Sequence, residues 1–134
     1  MFATMQTSGV HSDTPRRQCV LLVDDEEDSR DATSMVLEHM GYDVDVAIDA
    51  EDALLQFRPE RHDLVITDNR MPGRSGVELS RELRQIAPQI PIIMYTGLAP
   101  EPPPPVSCLL EKPFQVSHLQ AAVRQFLPPP PTNP

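Results

Sequence analysis

The sequence predicts an α/β fold in which a parallel sheet is covered by helices on both faces. Four short apolar runs with β-branched residues have the length and pattern of buried parallel strands. The four runs lie at 20–23, 64–67, 92–95 and 108–110. Segments with apolar residues at helical spacing separate most of these runs. Such alternation is typical of a doubly wound sheet whose strands run parallel.

A helix is predicted after the first strand, 20–23. Asp28 and Ser29 can supply its N-terminal cap, and Gly41 is a natural stop at its C-terminus. The segment 42–47 then alternates apolar with mainly acidic residues, which is typical of a half-exposed strand. We therefore expect the second strand at an edge of the sheet.

Two further helices are predicted on either side of the strand 64–67. Asp49 can cap a short helix that ends before Pro59, because the residue before a proline disfavours helical geometry. Ser75 leads into a longer helix, which Pro88 closes. Both segments carry apolar residues at helical spacing, so each is expected to pack one face on the sheet.

The segment between the last two strands departs from this alternation. Parallel strands are usually joined through a helix, but residues 97–106 include Pro100 and the proline run 102–105. A proline destabilises a helix interior by about 3 kcal/mol, so we expect the fourth helix to be missing. An extended proline strut is expected in its place. A last helix is predicted from Gln115 to just before Pro128.

The chain is expected to contain one domain with two tails. Residues 1–17 are polar and aperiodic, as in a disordered arm, residues 18–127 form the domain, and residues 128–134 form a proline-rich tail. The net charge of -9 disfavours a nucleic-acid partner, and the four histidines are scattered, which disfavours a histidine metal site. No apolar run is long enough for a membrane span or a signal peptide, so a cytoplasmic protein is expected.

Polar side chains follow the ends of the predicted strands. Asp24 and Asp25 follow the first strand, Asp68 follows another, and Thr96 and Lys112 follow the last two. Ligand sites in open parallel sheets lie at the carboxyl ends of the strands, so we expect these side chains to meet there. Adjacent carboxylates suit Mg²⁺, and Asp68 is placed to act as a carboxylate nucleophile. Mg²⁺ and Lys112 would offset the repulsion among the acids.

The chain resembles the receiver domains of bacterial two-component response regulators. The matching motifs are VLLVDDE at 20–26, LVITD at 64–68 with MPG at 71–73 and Gly76, PIIMYTG at 91–97, and EKPF at 111–114. The resemblance covers approximately residues 18–127. It implies a flavodoxin-like, five-stranded parallel sheet with strand order 2-1-3-4-5.

The resemblance also implies a phosphoprotein chemistry. Asp68 would accept a phosphoryl group from a partner histidine kinase. Mg²⁺ would be bound by Asp25, Asp68 and the backbone carbonyl of Arg70, while Asp24 would assist through water. These four residues make up the expected metal site.

The expected readout of phosphorylation differs from that of the family. Thr96 and Lys112 are implied as the phosphate-sensing residues, but Leu109 stands where receivers usually carry Tyr or Phe. The missing fourth helix normally helps to form the output surface, and its loss should leave the last two strands partly bare. We therefore expect residues 98–106 to contact a downstream protein or to form a homodimer.

Three classes of function remain open at this stage. The first is a stand-alone phosphoacceptor that assists its own phosphotransfer and dephosphorylation, signals through protein contacts, and is not an enzyme acting on a separate substrate. The second is a Mg²⁺-dependent phosphatase of the haloacid-dehalogenase type, which would need an Asp at the position of Arg70. The third is a receiver-like scaffold that works without phosphorylation.

Overall fold

Residues 17–128 are described by the computed structural model, and they form five strands and four helices. The elements in chain order are β1 (Cys19–Val23), α1 (Glu27–His39), β2 (Asp43–Ala47), α2 (Ala50–Gln56), β3 (Leu64–Asp68), α3 (Gly76–Ile86), β4 (Ile92–Thr96), β5 (Cys108–Glu111) and α4 (Val116–Phe126). Residues 1–16 of the predicted arm (1–17) and residues 129–134 of the predicted tail (128–134) lie outside the described residues. Within the described range, none of the helices combines the length and the apolar character that crossing a bilayer requires.

The five strands form one parallel sheet in the order β2-β1-β3-β4-β5, which confirms the predicted topology. Every residue of β1, β3 and β4 is buried, because these apolar strands occupy the interior of the sheet. β2 lies at an edge as predicted, and it is partly exposed. The carboxyl ends of all five strands consequently point to the same edge of the sheet.

Each face of the sheet packs against a different pair of helices. On one face, Leu22 and Ile66 pack with Leu37 of α1 and Val123 of α4. On the other face, Leu21, Val23 and Val65 pack with residues of α2 and α3; those helix residues are Ala50, Ala53, Leu79 and Leu83. Alternate residues along each strand therefore belong to opposite cores, as the strand pleat requires.

Two of the predicted helix caps are confirmed. The Asp49 side chain accepts a hydrogen bond from the backbone N–H of Asp52 at 2.8 Å, at the start of α2. Ser75 accepts from the N–H of Glu78 at 3.1 Å, and the Glu78 carboxylate accepts from the N–H of Ser75 at 2.9 Å. This reciprocal capping box fixes the start of α3, directly after the loop that follows β3.

The predicted cap of α1 is wrong. α1 begins at Glu27, and Glu26 occupies the cap position without a side-chain hydrogen bond. Asp28 and Ser29 lie in the first turn, because the Ser29 hydroxyl donates to the Asp24 carboxylate at 2.7 Å rather than to the helix backbone. The start of α1 is therefore tied to the end of β1.

The described connection from β4 to β5 contains no helix, in agreement with the prediction that the fourth helix is missing. Residues 97–107 form a loop, and its Val106 packs on the core beneath α2 and α3. Arg84 of α3 holds this end of the loop by donating to the carbonyl of Pro105 at 3.0 Å and to the hydroxyl of Ser107 at 3.3 Å. β4 is therefore fully covered, and the prediction of a partly bare β4 is wrong. β5 is half-buried, as expected.

The backbone contact at Gly76 gives a test of how tightly α3 is joined to β3. A Cβ atom at this position would overlap the carbonyl oxygen of Asp68 and lie 2.9 Å from Cα of Asn69. We expect Gly76→Ala to lower the free energy of unfolding by about 1–3 kcal/mol in urea titrations, because the helix must shift to remove the overlap.

The matched control is Gly97→Ala, where an added Cβ would meet no atom within 4 Å. This change should alter the free energy of unfolding by less than about 0.5 kcal/mol. Equal stabilities for the two variants would show that α3 adapts freely.

Candidate functional site

The residues singled out in the sequence meet at the carboxyl edge of the sheet. Asp24 follows β1, Asp68 ends β3, and Lys112 follows β5. Carboxylate oxygens of Asp24, Asp25 and Asp68 lie within 4.8 Å of one another. The ammonium nitrogen of Lys112 lies 3.2 Å from Oδ2 of Asp68. The structure thus gathers the predicted carboxylates and the predicted cation into one acidic pocket.

The three acids differ in how far they are exposed to solvent. Asp24 is fully buried and Asp68 is 7% exposed, whereas Asp25 is exposed to solvent. Burial raises the pKa of Asp68 above its ordinary value, the Lys112 ammonium opposes this rise, and the nearby Asp24 adds to it. Ionised Asp68 is therefore held in an unfavourable environment that a further positive charge would improve.

The pocket suits a magnesium ion by the chemistry of its donors. Mg²⁺ prefers oxygen ligands and binds through one or two carboxylates, completing its shell with water and phosphate oxygens. Exposed Asp25 and buried Asp68 offer such oxygens within 4.8 Å of each other. Arg70 is exposed in the loop after β3, and coordination by its backbone carbonyl stays a prediction.

Asp24 is saturated with hydrogen bonds from the protein itself. Its Oδ1 accepts from the backbone N–H of Glu26 at 3.0 Å. Its Oδ2 accepts from the hydroxyl of Ser29 at 2.7 Å and from the phenol of Tyr95. Burial and the Asp24 carboxylate raise the pKa of Tyr95 far above its ordinary value, so the phenol remains a donor. This arrangement agrees with an indirect part for Asp24 in metal binding.

Sequence reasoning missed Ser29 and Tyr95 as members of the pocket. The signal for Tyr95 in the sequence is its position as the last residue of the predicted strand 92–95, and the register of β3 and β4 then places it beside Asp68. The signal for Ser29 is its position one helical turn beyond the acids, although the local sequence predicts a helix cap there. Both contacts depend on tertiary geometry that residue spacing alone does not specify.

The two predicted sensing residues are engaged in different ways. Lys112, which is the sole lysine in the sequence, lies over the ring of Tyr95 at 5.0 Å from its centroid. The hydroxyl of Thr96 donates to the carbonyl of Leu98 at 3.1 Å. Thr96 thus contacts the first part of the 97–107 loop. Leu109 is half-buried on β5 and pairs in register with Met94.

A second group of potential ligands lies on β2 and near the amino ends of β1 and β3. Ligand atoms of Cys19, Asp45 and His62 lie within 4.8 Å of one another. Nδ1 of His62 accepts from the N–H of Arg58 at 3.0 Å, so Nε2 carries the proton and donates to Asp45 at 2.8 Å. The hydrogen bond from Arg61 and that from His62 lower the pKa of Asp45 to about 2. Because both histidine nitrogens are used, the group is a hydrogen-bonded cluster unsuited to a metal.

Comparison with known proteins places the chain among signalling domains. The family model of the response regulator receiver domain matches residues 20–124. The alkaline phosphatase synthesis transcriptional regulatory protein PhoP of Bacillus subtilis (strain 168) is 40% identical over 78 residues, which are 58% of this chain. The match spans only 32% of the length of PhoP.

Two solved structures support the same assignment. Response regulator protein TrrA from Thermotoga maritima, crystallised in complex with Mg²⁺-BeF, is 32% identical with a TM-score of 0.76, covering 82% of this chain and 99% of TrrA. A chain from the crystal structure of histidine kinase ThkA in complex with TrrA is also 32% identical, with a TM-score of 0.74, covering 82% of this chain and 98% of its own length.

The raised pKa of Asp68 predicts how stability depends on pH. The folded state binds the Asp68 proton more tightly than the unfolded state, so ionisation of Asp68 lowers the free energy of unfolding. This destabilisation is absent well below the ordinary pKa of 3.8 and is complete above the raised pKa. Asp68→Asn removes the charge and should raise the midpoint of thermal unfolding at pH 7. This gain should disappear when the pH is lowered well below 3.8.

Glu60→Gln is the control, since it removes an equal charge from an exposed position before β3. It should leave the unfolding midpoint nearly unchanged at both pH values. A lower midpoint for Asp68→Asn at pH 7 would mean that the Lys112 ion pair outweighs the burial of the carboxylate.

Proposed function

Because this chain belongs to the response regulator receiver domain family, we propose that it accepts a phosphoryl group on Asp68 from a histidine kinase in a Mg²⁺-dependent reaction. The observation that carries the proposal is the cluster of Asp24, Asp25 and Asp68 with Lys112 at the carboxyl edge of the sheet. Each of these side chains has a part that the chemistry requires. The chain itself assists the transfer and the later hydrolysis, and it does not act on a separate substrate.

Asp68 is the nucleophile in the proposed transfer. One of its carboxylate oxygens attacks the phosphorus of a phosphohistidine, a new P–O bond forms, and the P–N bond to the histidine breaks. Asp25, Asp68 and the carbonyl of Arg70 would hold Mg²⁺, with Asp24 acting through water. When bound there, the ion would supply positive charge that offsets the negative charge of the acids and the phosphoryl oxygens.

Lys112 is the proposed partner of the bound phosphoryl group. Its ammonium already lies 3.2 Å from Oδ2 of Asp68, so a small movement brings it to a phosphoryl oxygen. Phosphorylation adds a charge of about -1.5 to -2 at this point, which strengthens the attraction. Lys112 thereby stabilises both the acid and its phosphorylated form.

A histidine kinase is the proposed donor because TrrA, a structural relative, has been crystallised with the histidine kinase ThkA. The Mg²⁺-BeF complex of TrrA supports the proposed metal in the same way. The proposed setting is the cytoplasm. Cys19 and Cys108 are free thiols, which fits a reducing compartment.

The proposed output surface is the segment 98–106. Thr96 donates its hydroxyl to the carbonyl of Leu98, and a phosphoryl oxygen on Asp68 would compete for that hydroxyl. Leu98 is 74% exposed at the start of the loop, while Arg84 fixes the other end. Phosphorylation would therefore alter one end of the loop, where a downstream protein or a second copy of the chain binds.

A receiver-like scaffold that does not use phosphorylation is the second candidate. The observation that favours it is Leu109, which has no aromatic ring or polar tip to reorient when Thr96 moves. Retention of the complete acidic pocket favours the phosphoacceptor. A small-molecule phosphodonor separates the two, because a scaffold of this kind need not react with it.

Asp25 and Asp68 provide the test of the pocket chemistry. With a small-molecule phosphodonor and Mg²⁺, the wild type should gain one phosphoryl group by intact-protein mass spectrometry. Asp68→Asn should gain none, and Asp25→Ala should lose both Mg²⁺ binding and phosphorylation. Asp28→Ala, an exposed acid in the first turn of α1, is the control and should behave as wild type. Undiminished transfer in Asp25→Ala would refute the proposed metal site.

Thr96 provides the test of the output route. Adding Mg²⁺ and beryllofluoride, which mimics the phosphoryl group, should shift the backbone amide signal of Leu98 in NMR spectra. Thr96→Val should reduce this shift strongly, because it removes the hydroxyl that leaves Leu98. Thr33→Val, which removes a hydroxyl from α1, should preserve it. An equal Leu98 shift in Thr96→Val would show that the loop is not reached through Thr96.

A further inference from the structure

Tyr95 is a buried polar group inside the acidic pocket that the proposed phosphotransfer does not use. It is 1% exposed, and its phenol donates to Oδ2 of Asp24. The same oxygen accepts from the Ser29 hydroxyl at 2.7 Å, and Oδ1 accepts from the Glu26 N–H at 3.0 Å. A buried carboxylate that receives three donors is fixed in orientation and is partly neutralised.

The sheet register explains how Tyr95 reaches Asp24. Asp68 pairs with Tyr95 across β3 and β4, and Val23 pairs with Thr67 across β1 and β3. Since β3 lies between β1 and β4, the residues Asp24, Asp68 and Tyr95 occupy the same level on neighbouring strands. The phenol therefore extends along the sheet edge, from the strand beside Asp68 to the acid that follows β1.

The ring of Tyr95 has a second contact in the pocket. The ammonium nitrogen of Lys112 lies 5.0 Å from the ring centroid and 3.2 Å from Oδ2 of Asp68. Phe114 packs edge-on against the same ring, with centroids 5.8 Å apart. The negative face of an aromatic ring attracts a cation, so the ring helps to place the ammonium over Asp68.

We propose that Tyr95 is a positioning residue that sets the Mg²⁺ affinity of the pocket through its hydroxyl and the placement of Lys112 through its ring. The inference rests on the proposed function, because it concerns the same metal and the same acceptor. The hydroxyl keeps Asp24 turned into the protein, which leaves direct coordination to Asp25 and Asp68.

The direction of the effect follows from competition for Asp24. A donor that stabilises the ionised carboxylate reduces what the carboxylate can offer to a cation. Tyr95→Phe removes this donor and leaves the ring in place. The Asp24 carboxylate then accepts one hydrogen bond fewer, so more of its negative charge is available to a cation held by Asp25 and Asp68. Mg²⁺ should therefore bind more tightly.

Tyr95→Phe tests the hydroxyl, and the chain provides a matched control. Tyr42, the only other tyrosine, is also buried, and its phenol donates to the carbonyl of Leu127 at 3.1 Å, outside the pocket. In NMR titrations without a phosphodonor, Tyr95→Phe should lower the Kd for Mg²⁺ at least threefold. Tyr42→Phe should leave the Kd unchanged.

A kinetic measurement separates positioning from simple stability. With a small-molecule phosphodonor, Tyr95→Phe should lower the Mg²⁺ concentration for half-maximal phosphorylation at least threefold, while the rate at saturating Mg²⁺ stays within twofold of wild type. A purely structural Tyr95 would change the unfolding midpoint without changing this concentration.

Tyr95→Leu tests the ring. Because Lys112 is the only lysine, protein labelled with ¹³C-lysine gives a single set of side-chain signals. The ring current should displace the Lys112 ε-methylene signal upfield in the wild type and in Tyr95→Phe, and the displacement should be lost in Tyr95→Leu. This chemical-shift measurement needs neither Mg²⁺ nor phosphorylation.

The outcomes distinguish this inference from the proposed function. If the wild type binds Mg²⁺ and Tyr95→Phe has an equal or higher Kd, the hydroxyl does not set the affinity, while the phosphoacceptor proposal stands. If the wild type binds no Mg²⁺, both fail. A Lys112 signal that is the same in Tyr95→Leu and wild type would overturn the part assigned to the ring.

Discussion

The parallel sheet gathers several carboxylates at one edge, and the structure depends on offsetting the repulsion among them. The ends of two strands, β1 and β3, bring Asp24, Asp25 and Asp68 within 4.8 Å of one another, and two of these acids are buried. Such a group is stable only if donors and cations surround it. Asp24 accepts hydrogen bonds from the Glu26 N–H just before α1, from Ser29 of α1 and from Tyr95 of β4, whereas Asp68 relies on Lys112. Of the two buried acids, the one with fewer partners is the one on which the chemistry is proposed.

This division follows from the way in which the elements are joined. Gly76 lies directly against the Asp68 carbonyl, and its N–H donates to the carbonyl of Asn69 at 2.8 Å. α3 therefore holds the backbone at the end of β3, while the Asp68 side chain faces the pocket. At the end of β1, Ser29 ties the Asp24 side chain to α1. The backbone at Asp68 is fixed, but its carboxylate is left available for a ligand.

Much of the fold could be predicted because its signals are local. Apolar runs gave the strands, Asp49 and Ser75 began their helices as expected, and the prolines excluded a fourth helix. What could not be predicted depends on contacts distant in sequence. The phenol of Tyr95 reaches Asp24 across 71 positions, and Ser29 caps no helix because the same acid recruits it. A buried carboxylate needs hydrogen-bond donors, and here Ser29 and Tyr95 supply them although the sequence around each residue indicates a different role.

The loop between β4 and β5 shows why loss of a helix need not expose the sheet. Val106 packs on the apolar core, and Arg84 holds the returning chain through the carbonyl of Pro105 and the hydroxyl of Ser107. The sheet is thus covered here without a helix. A helix in this place would cover the sheet along its whole length. In this loop, the end nearest β5 is the part that Arg84 holds against α3. Its other end follows Thr96, whose hydroxyl donates to the carbonyl of Leu98. If Thr96 senses the phosphoryl group as proposed, a change at Asp68 would act first on the Leu98 end of the loop, and the Arg84 contacts would limit how far it spreads.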